Sequence, residues 1–144
     1  MYEYQIERVL QFELGSQFHG VYARDTLPMS KKNGAYVINF DKESDPGSHW
    51  IAVYVHDSDV EYFDSFGRKP SVHEIIFFLG PTYTYNTVKL QPMLSKCCGY
   101  YCIYFLVMRH NNIDANSVID VLARSDSLFV VKNYVYKKFK WIFV

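Results

Sequence analysis

From Cys98 to Met108 the sequence carries no charged side chain, and apart from Gly99 every residue is apolar or aromatic. A helix with so little polar surface has no face to offer solvent, so it belongs at the centre of a packed domain. Ile103, Leu106 and Val107 recur at helical spacing and are core positions in that reading. The run is too short to cross a bilayer. A chain of 144 residues leaves no room for a second core, so one domain, residues 1–144, is expected. Its content, 49% hydrophobic and 18% aromatic, is enough to bury that core without disulfide staples.

The rest of the chain is punctuated as short elements. Tyr4 to Leu14 has the spacing of an amphipathic helix closed by Gly15. Phe18 to Met29, broken by Gly20 and Pro28, reads as irregular. Ala35 to Phe40 is a strand, and Asp45-Pro46-Gly47 is a turn. His49 to His56 is apolar enough for a strand buried on both faces. Asp57-Ser58-Asp59 turns the chain into a returning strand, Val60 to Asp64. Ser71 to Leu79 reads as a helix with Ser71 and Glu74 as a capping box and Gly80-Pro81 as its stop. Tyr83 to Leu90 reads as a strand and Asn116 to Arg124 as a short helix. Ser127 to Val144 is ambiguous between helix and strand, with Leu128, Val131 and Val135 favouring helix. The sum is an α+β fold: a mixed, mostly antiparallel sheet with helices packed on it.

Fifteen basic residues balance fifteen acidic ones, so composition offers no case for a nucleic-acid partner. Met1 to Leu10 lacks the basic-then-apolar pattern of a signal peptide. The three cysteines, Cys97, Cys98 and Cys102, are a poor disulfide framework. These features predict a soluble intracellular monomer in a reducing compartment, neither secreted nor membrane-bound. A zinc site from Cys97, Cys98, Cys102 and His110 is set aside, because the spacing suits no common zinc pattern.

Three features carry chemistry together. Cys98 opens the apolar helix, where free backbone N–H groups and the helix dipole favour a thiolate. His49 begins a buried strand and Asp64 ends the neighbouring one, fifteen residues on, as facing positions of a hairpin. In that arrangement His49 takes the thiol proton and Asp64 fixes its tautomer. The Cys98 amide and the Gln91 side chain can donate to an oxyanion. Gly99 removes a side chain where substrate backbone approaches.

The stretches Phe18 to Tyr22, Ala35 to Asn39, Gly47 to Ala52, Tyr62 to Gly67 and Gln91 to Cys102 resemble the adenoviral maturation proteases, peptidase family C5. More distantly they resemble the ubiquitin-like-protein proteases of the same clan. The short chain also looks like proteases of adenovirus-like mobile elements of the Polinton or Maverick kind. The resemblance runs in order over about residues 15 to 112 and implies a cysteine-protease fold with the nucleophile at the head of the central helix. It gives His49, Asp64, Gln91 and Cys98 the roles just described, prefers Cys98 to Cys97 because the nucleophile directly precedes the glycine, and places Trp50 and Gly99 against substrate. It implies cleavage of viral or capsid precursors at Gly-containing sites, in a host nucleus or virion, with DNA or a peptide as activator.

Two departures bear on this. Asp64 stands where the adenoviral enzymes have glutamate and matches the ubiquitin-like-protein proteases. No cysteine lies outside residues 97–102 to tether an activating peptide. Processing of a ubiquitin-like modifier is therefore the alternative within the same chemistry. A non-catalytic nucleic-acid- or capsid-binding protein is the alternative of another class. Lys132, Lys137, Lys138 and Lys140, interleaved with aromatics, would be the DNA contact; the plainer reading is a solvated amphipathic tail.

Overall fold

The computed structural model describes residues 1–144. In chain order the elements are α1 (Glu3–Leu14), β1 (Phe18–Ala23), β2 (Gly34–Asn39), β3 (Trp50–His56), β4 (Asp59–Phe63), α2 (His73–Leu79), β5 (Thr84–Tyr85), α3 (Cys98–His110), α4 (Ala115–Ala123) and α5 (Ser127–Lys138). The five strands lie in the order β1-β2-β3-β4-β5. The two central ladders, β2 with β3 and β3 with β4, are antiparallel, and the outer two are parallel.

Alternation along the strands divides the core in two. Ala35 and Val37 of β2 and Ala52 of β3 face α1, α3 and α5. Tyr36 and Ile38, with Ile51, Val53 and Val55, face Ile75, Phe78 and Leu79 of α2. Both faces are covered, which is why His49 to His56 reads as an unbroken apolar run. The α3 helix fills the middle of the larger cluster: Tyr101, Ile103, Leu106 and Val107 are wholly buried. Phe105 stacks on Phe63 of β4 at 4.5 Å, so the helix that begins at Cys98 is fixed to the hairpin that carries His49 and Asp64. No helix is long and apolar enough to cross a membrane.

Several boundaries differ from those expected. Phe18 to Ala23 is an edge strand, not irregular chain; Gly20, at φ 130°, sits where the register with β2 shifts, so the breaker bends the strand without ending it. The capping box is not formed. The α2 helix starts at His73 behind Val72 with no side-chain cap, because Glu74 instead binds the Arg24 guanidinium with two bonds of 3.0 and 2.8 Å. Only Thr84–Tyr85 of the expected strand Tyr83 to Leu90 pairs, with β4. Residues 127–138 are helical, capped by the Asp126 carboxylate accepting from the Phe129 N–H.

Candidate active site

Cys98 is the first residue of α3, 5% exposed. Its Sγ accepts from the Trp50 N–H at 3.4 Å. Its own N–H donates to no protein acceptor, as expected in the first turn of a helix. His49 lies one residue before β3 and Asp64 one residue after β4. The two are not directly opposed. The ladder that pairs Ala52 with Phe63 would set Asp64 across from Ile51, and the side chains close the gap diagonally, His49 Nε2 meeting Asp64 Oδ1 at 2.8 Å. The same oxygen accepts from the Phe66 N–H at 2.9 Å, while Oδ2 is buried without a partner.

With Nε2 bound to the carboxylate, Nδ1 is the ring nitrogen left for another partner. Burial pushes the His49 value down, but the bonds to Asp64 and Cys98 and their charges outweigh it, raising the imidazole from 6.5 to about 9. Burial likewise pushes the Cys98 thiol up, and His49, the Trp50 and Gly99 amides and the imidazolium charge reverse this to a net lowering from 9.0. Each group thus favours the charged form of the other. Phe40 and Phe66 flank the imidazole at 4.9 and 5.0 Å and keep water from it. Cys102, one helical turn on, is fully buried, and burial holds its thiol well above 9.0. It has no such partners.

Gln91 is 1% exposed. Its Oε1 accepts from the Ser65 hydroxyl, and its Nε2 donates to the Ser95 carbonyl at 2.8 Å. The second amide hydrogen has only a long contact, 3.4 Å, with Ser95 Oγ. Ser65 and Asn86 had no sequence signal. Ser65 orients Gln91 and also accepts the backbone N–H groups of Leu90 and Gln91, both at 2.9 Å. Asn86 clamps the Asp64 backbone on both sides, at 2.9 and 2.6 Å. Gly67 makes this packing feasible: at φ 69°, a Cβ there would lie 2.6 Å from the Val88 carbonyl.

Trp50 is half-buried beside Cys98, its ring edge against Gly47. Gly99 turns toward α1, where an added Cβ would meet Ile6 at 3.0 Å and Met1 at 3.3 Å; the missing side chain serves helix packing. The four tail lysines differ in their surroundings. Lys138 pairs with Glu13 at 2.6 Å, Lys132 lies over the Tyr100 and Tyr136 rings, and Lys137 and Lys140 are exposed.

No protein-family model matches the sequence, and no curated protein matches it. Solved structures do. Two crystal structures of the ASFV pS273R protease, one of them a selenomethionine form, superpose with TM-scores of 0.57 and 0.56 at 18% and 16% identity. They cover 83% and 82% of this chain. The fold is that of the pS273R protease. The chain spans about three fifths of that protein's length, 61% and 60%. The expected α+β cysteine-protease architecture is thus the one observed, while kinship with the adenoviral enzymes in particular rests on the motifs alone.

Proposed function

We propose that the chain is a cysteine endopeptidase with Cys98 as nucleophile, His49 as acid and base, Asp64 as the residue that orients His49, and Gln91 with the Cys98 amide as oxyanion donors. The observation that carries the reading is the His49 imidazole, bound by Asp64 on one nitrogen and raised to about 9 while the Cys98 thiol is lowered. A scaffold has no use for a buried ion pair at a helix N-terminus beside an unspent amide donor.

In this mechanism the Cys98 thiolate adds to the scissile carbonyl carbon, and the developing oxyanion takes the Cys98 N–H and the second Gln91 amide hydrogen. The imidazolium gives its proton to the departing amine, leaving a thioester. The now neutral imidazole takes a proton from water, the hydroxide displaces sulfur, and the thiolate and imidazolium are restored with release of the carboxylate product. Asp64 keeps the ring in the productive tautomer throughout.

The substrate reading extends the resemblance: a viral or virus-like precursor cut at Gly-containing sites. Asp64, shared with the ubiquitin-like-protein proteases, favours a ubiquitin-like modifier as the second reading. Digestion of a Gly-containing peptide library beside ubiquitin-like fusions separates the two. Cys98→Ala should abolish cleavage of both while the fold is retained; cleavage that survives this substitution sinks the assignment. Activation by DNA or a peptide is carried by the resemblance alone, and is tested by adding either to the same digest.

A further inference from the structure

The segment after β5 meets the turn after β4 in a way that the sheet alone does not require. The parallel ladder pairs Glu61 with Thr84 and Tyr62 with Tyr85, and there it stops. Asp64 lies beyond it, wholly buried, so its backbone polar groups need partners from elsewhere. Its N–H donates to Asn86 Oδ1 at 2.9 Å and has no backbone acceptor. Its C=O accepts from Asn86 Nδ2 at 2.6 Å and from the Gly67 N–H at 2.8 Å. One side-chain amide thus extends the pairing by one residue, and that residue is the partner of His49.

The Asp64 carboxylate supplies a second, independent observation. Its Oδ1 carries both of the side chain's bonds, to the His49 ring and from the Phe66 N–H, at 2.8 and 2.9 Å. Oδ2 is buried and has no partner. A carboxylate gripped through one oxygen still turns about its own side-chain bonds. Where Oδ1 falls against the imidazole therefore depends on where the Asp64 backbone is held, and a hydrogen bond weakens steeply once distance or alignment is lost.

We propose that Asn86 is a positioning residue of the site: it fixes the Asp64 backbone so that the carboxylate meets His49. It acts on the thiol only through Asp64 and His49. The inference rests on the protease reading above and adds a residue to it. The position calls for an amide, because the Asp64 N–H needs an acceptor and its C=O a donor, and asparagine presents both from one planar group. Asn86 also lines a surface cavity of about 180 Å³. Truncation there leaves space that water can enter, not a dry void, so the fold should survive it.

The test is a double-mutant cycle read by iodoacetamide alkylation of Cys98 at pH 7, a reaction that makes no oxyanion and so does not report on Gln91. Asn86→Ala should slow Cys98 about threefold, toward the low end of couplings within one hydrogen-bond network. In an Asp64→Ala background the same substitution should change the rate by less than about 1.5-fold, because no carboxylate is left to position. The pH midpoint of the Cys98 rate should rise in Asn86→Ala and stay in place when Asp64 is already alanine. A merely structural role for Asn86 moves it in neither. If Asn86→Ala does not fold, Asn86→Ser is carried through the same cycle under the same criteria. Three results overturn the proposal: an Asn86 variant within about 1.5-fold of the parent, a loss above that size that persists without Asp64, or an Asp64→Ala variant as reactive as the parent. Each leaves Cys98 and His49 standing as a protease pair. Cys98 reacting no faster than Cys102 in the parent overturns both.

Discussion

At the scale of single residues, the site works by setting interactions against burial. Cys98 and His49 are both withdrawn from water, which opposes charge on each, yet each holds the other's charge and Asp64 holds the imidazole. Cys98 should therefore alkylate with iodoacetamide at pH 7 much faster than Cys102. His49→Ala should slow Cys98 by roughly ten- to thirtyfold, since an ordinary thiol is only a few per cent ionised there. Equal rates in the parent and the variant would mean that the imidazole does not activate the thiol. Ser65→Ala tests a different step. It strips the buried Gln91 Oε1 of its donor and should lower kcat for peptide hydrolysis about tenfold, less than outright loss of an oxyanion donor. Iodoacetamide makes no oxyanion, so its rate with Cys98 should not change. The placing of His49, Asp64 and Cys98 was legible because each sits beside local punctuation: a turn, a strand end, a Cys-Gly step. Ser65 and Asn86 were not. Their roles depend on chain 26 and 22 residues away folding back, and nothing local marks that return.

At the scale of elements, helix α3 was legible to the residue because its composition admits only burial and Cys98-Gly99 marks where it starts. Edge elements were not. Five of the six residues of β1 are only half-buried, so no alternation announced it, and β5 is too short to leave a pattern. The Ser71–Glu74 motif failed because a guanidinium from the chain after β1 outcompeted a helix cap for the Glu74 carboxylate, a contest invisible to a local reading. The turn after β4 is where element geometry most directly governs the site. Gly67 combines positive φ with contact distances to Val88 and Lys89 that no Cβ can meet. Gly67→Ala should cost about 2 kcal/mol or more in urea unfolding. It should also disturb catalysis beyond its effect on stability, because the displaced segment carries Asn86 and Gln91. An unchanged denaturation midpoint would show that the turn relaxes without loss.

At the scale of the whole molecule, the catalytic pair makes a statement about proton count. Between the ordinary imidazole value of 6.5 and about 9, the unfolded chain leaves His49 neutral while the fold keeps it protonated. Taken alone, that raised value stabilises the fold fully below 6.5 and loses its effect as pH climbs through the window. Cys98 runs the other way. Its lowered value makes the fold release a proton that the unfolded thiol still holds below 9.0, so its contribution grows as pH rises toward 9.0. The two oppose each other, and where the fold holds both thiolate and imidazolium, folding moves one proton from sulfur to nitrogen and takes none from solution. Thermal unfolding of the parent protein should then change little between about pH 7 and 8, once the slope of His49→Gln is subtracted for the other titrating groups. Were the imidazole protonated beside a neutral thiol, stability would fall by about 1.4 kcal/mol per pH unit, roughly 4 °C in Tm for a domain of this size. A fall of that size would exclude the resting thiolate, and with it the means by which Cys98 attacks before any base acts on it.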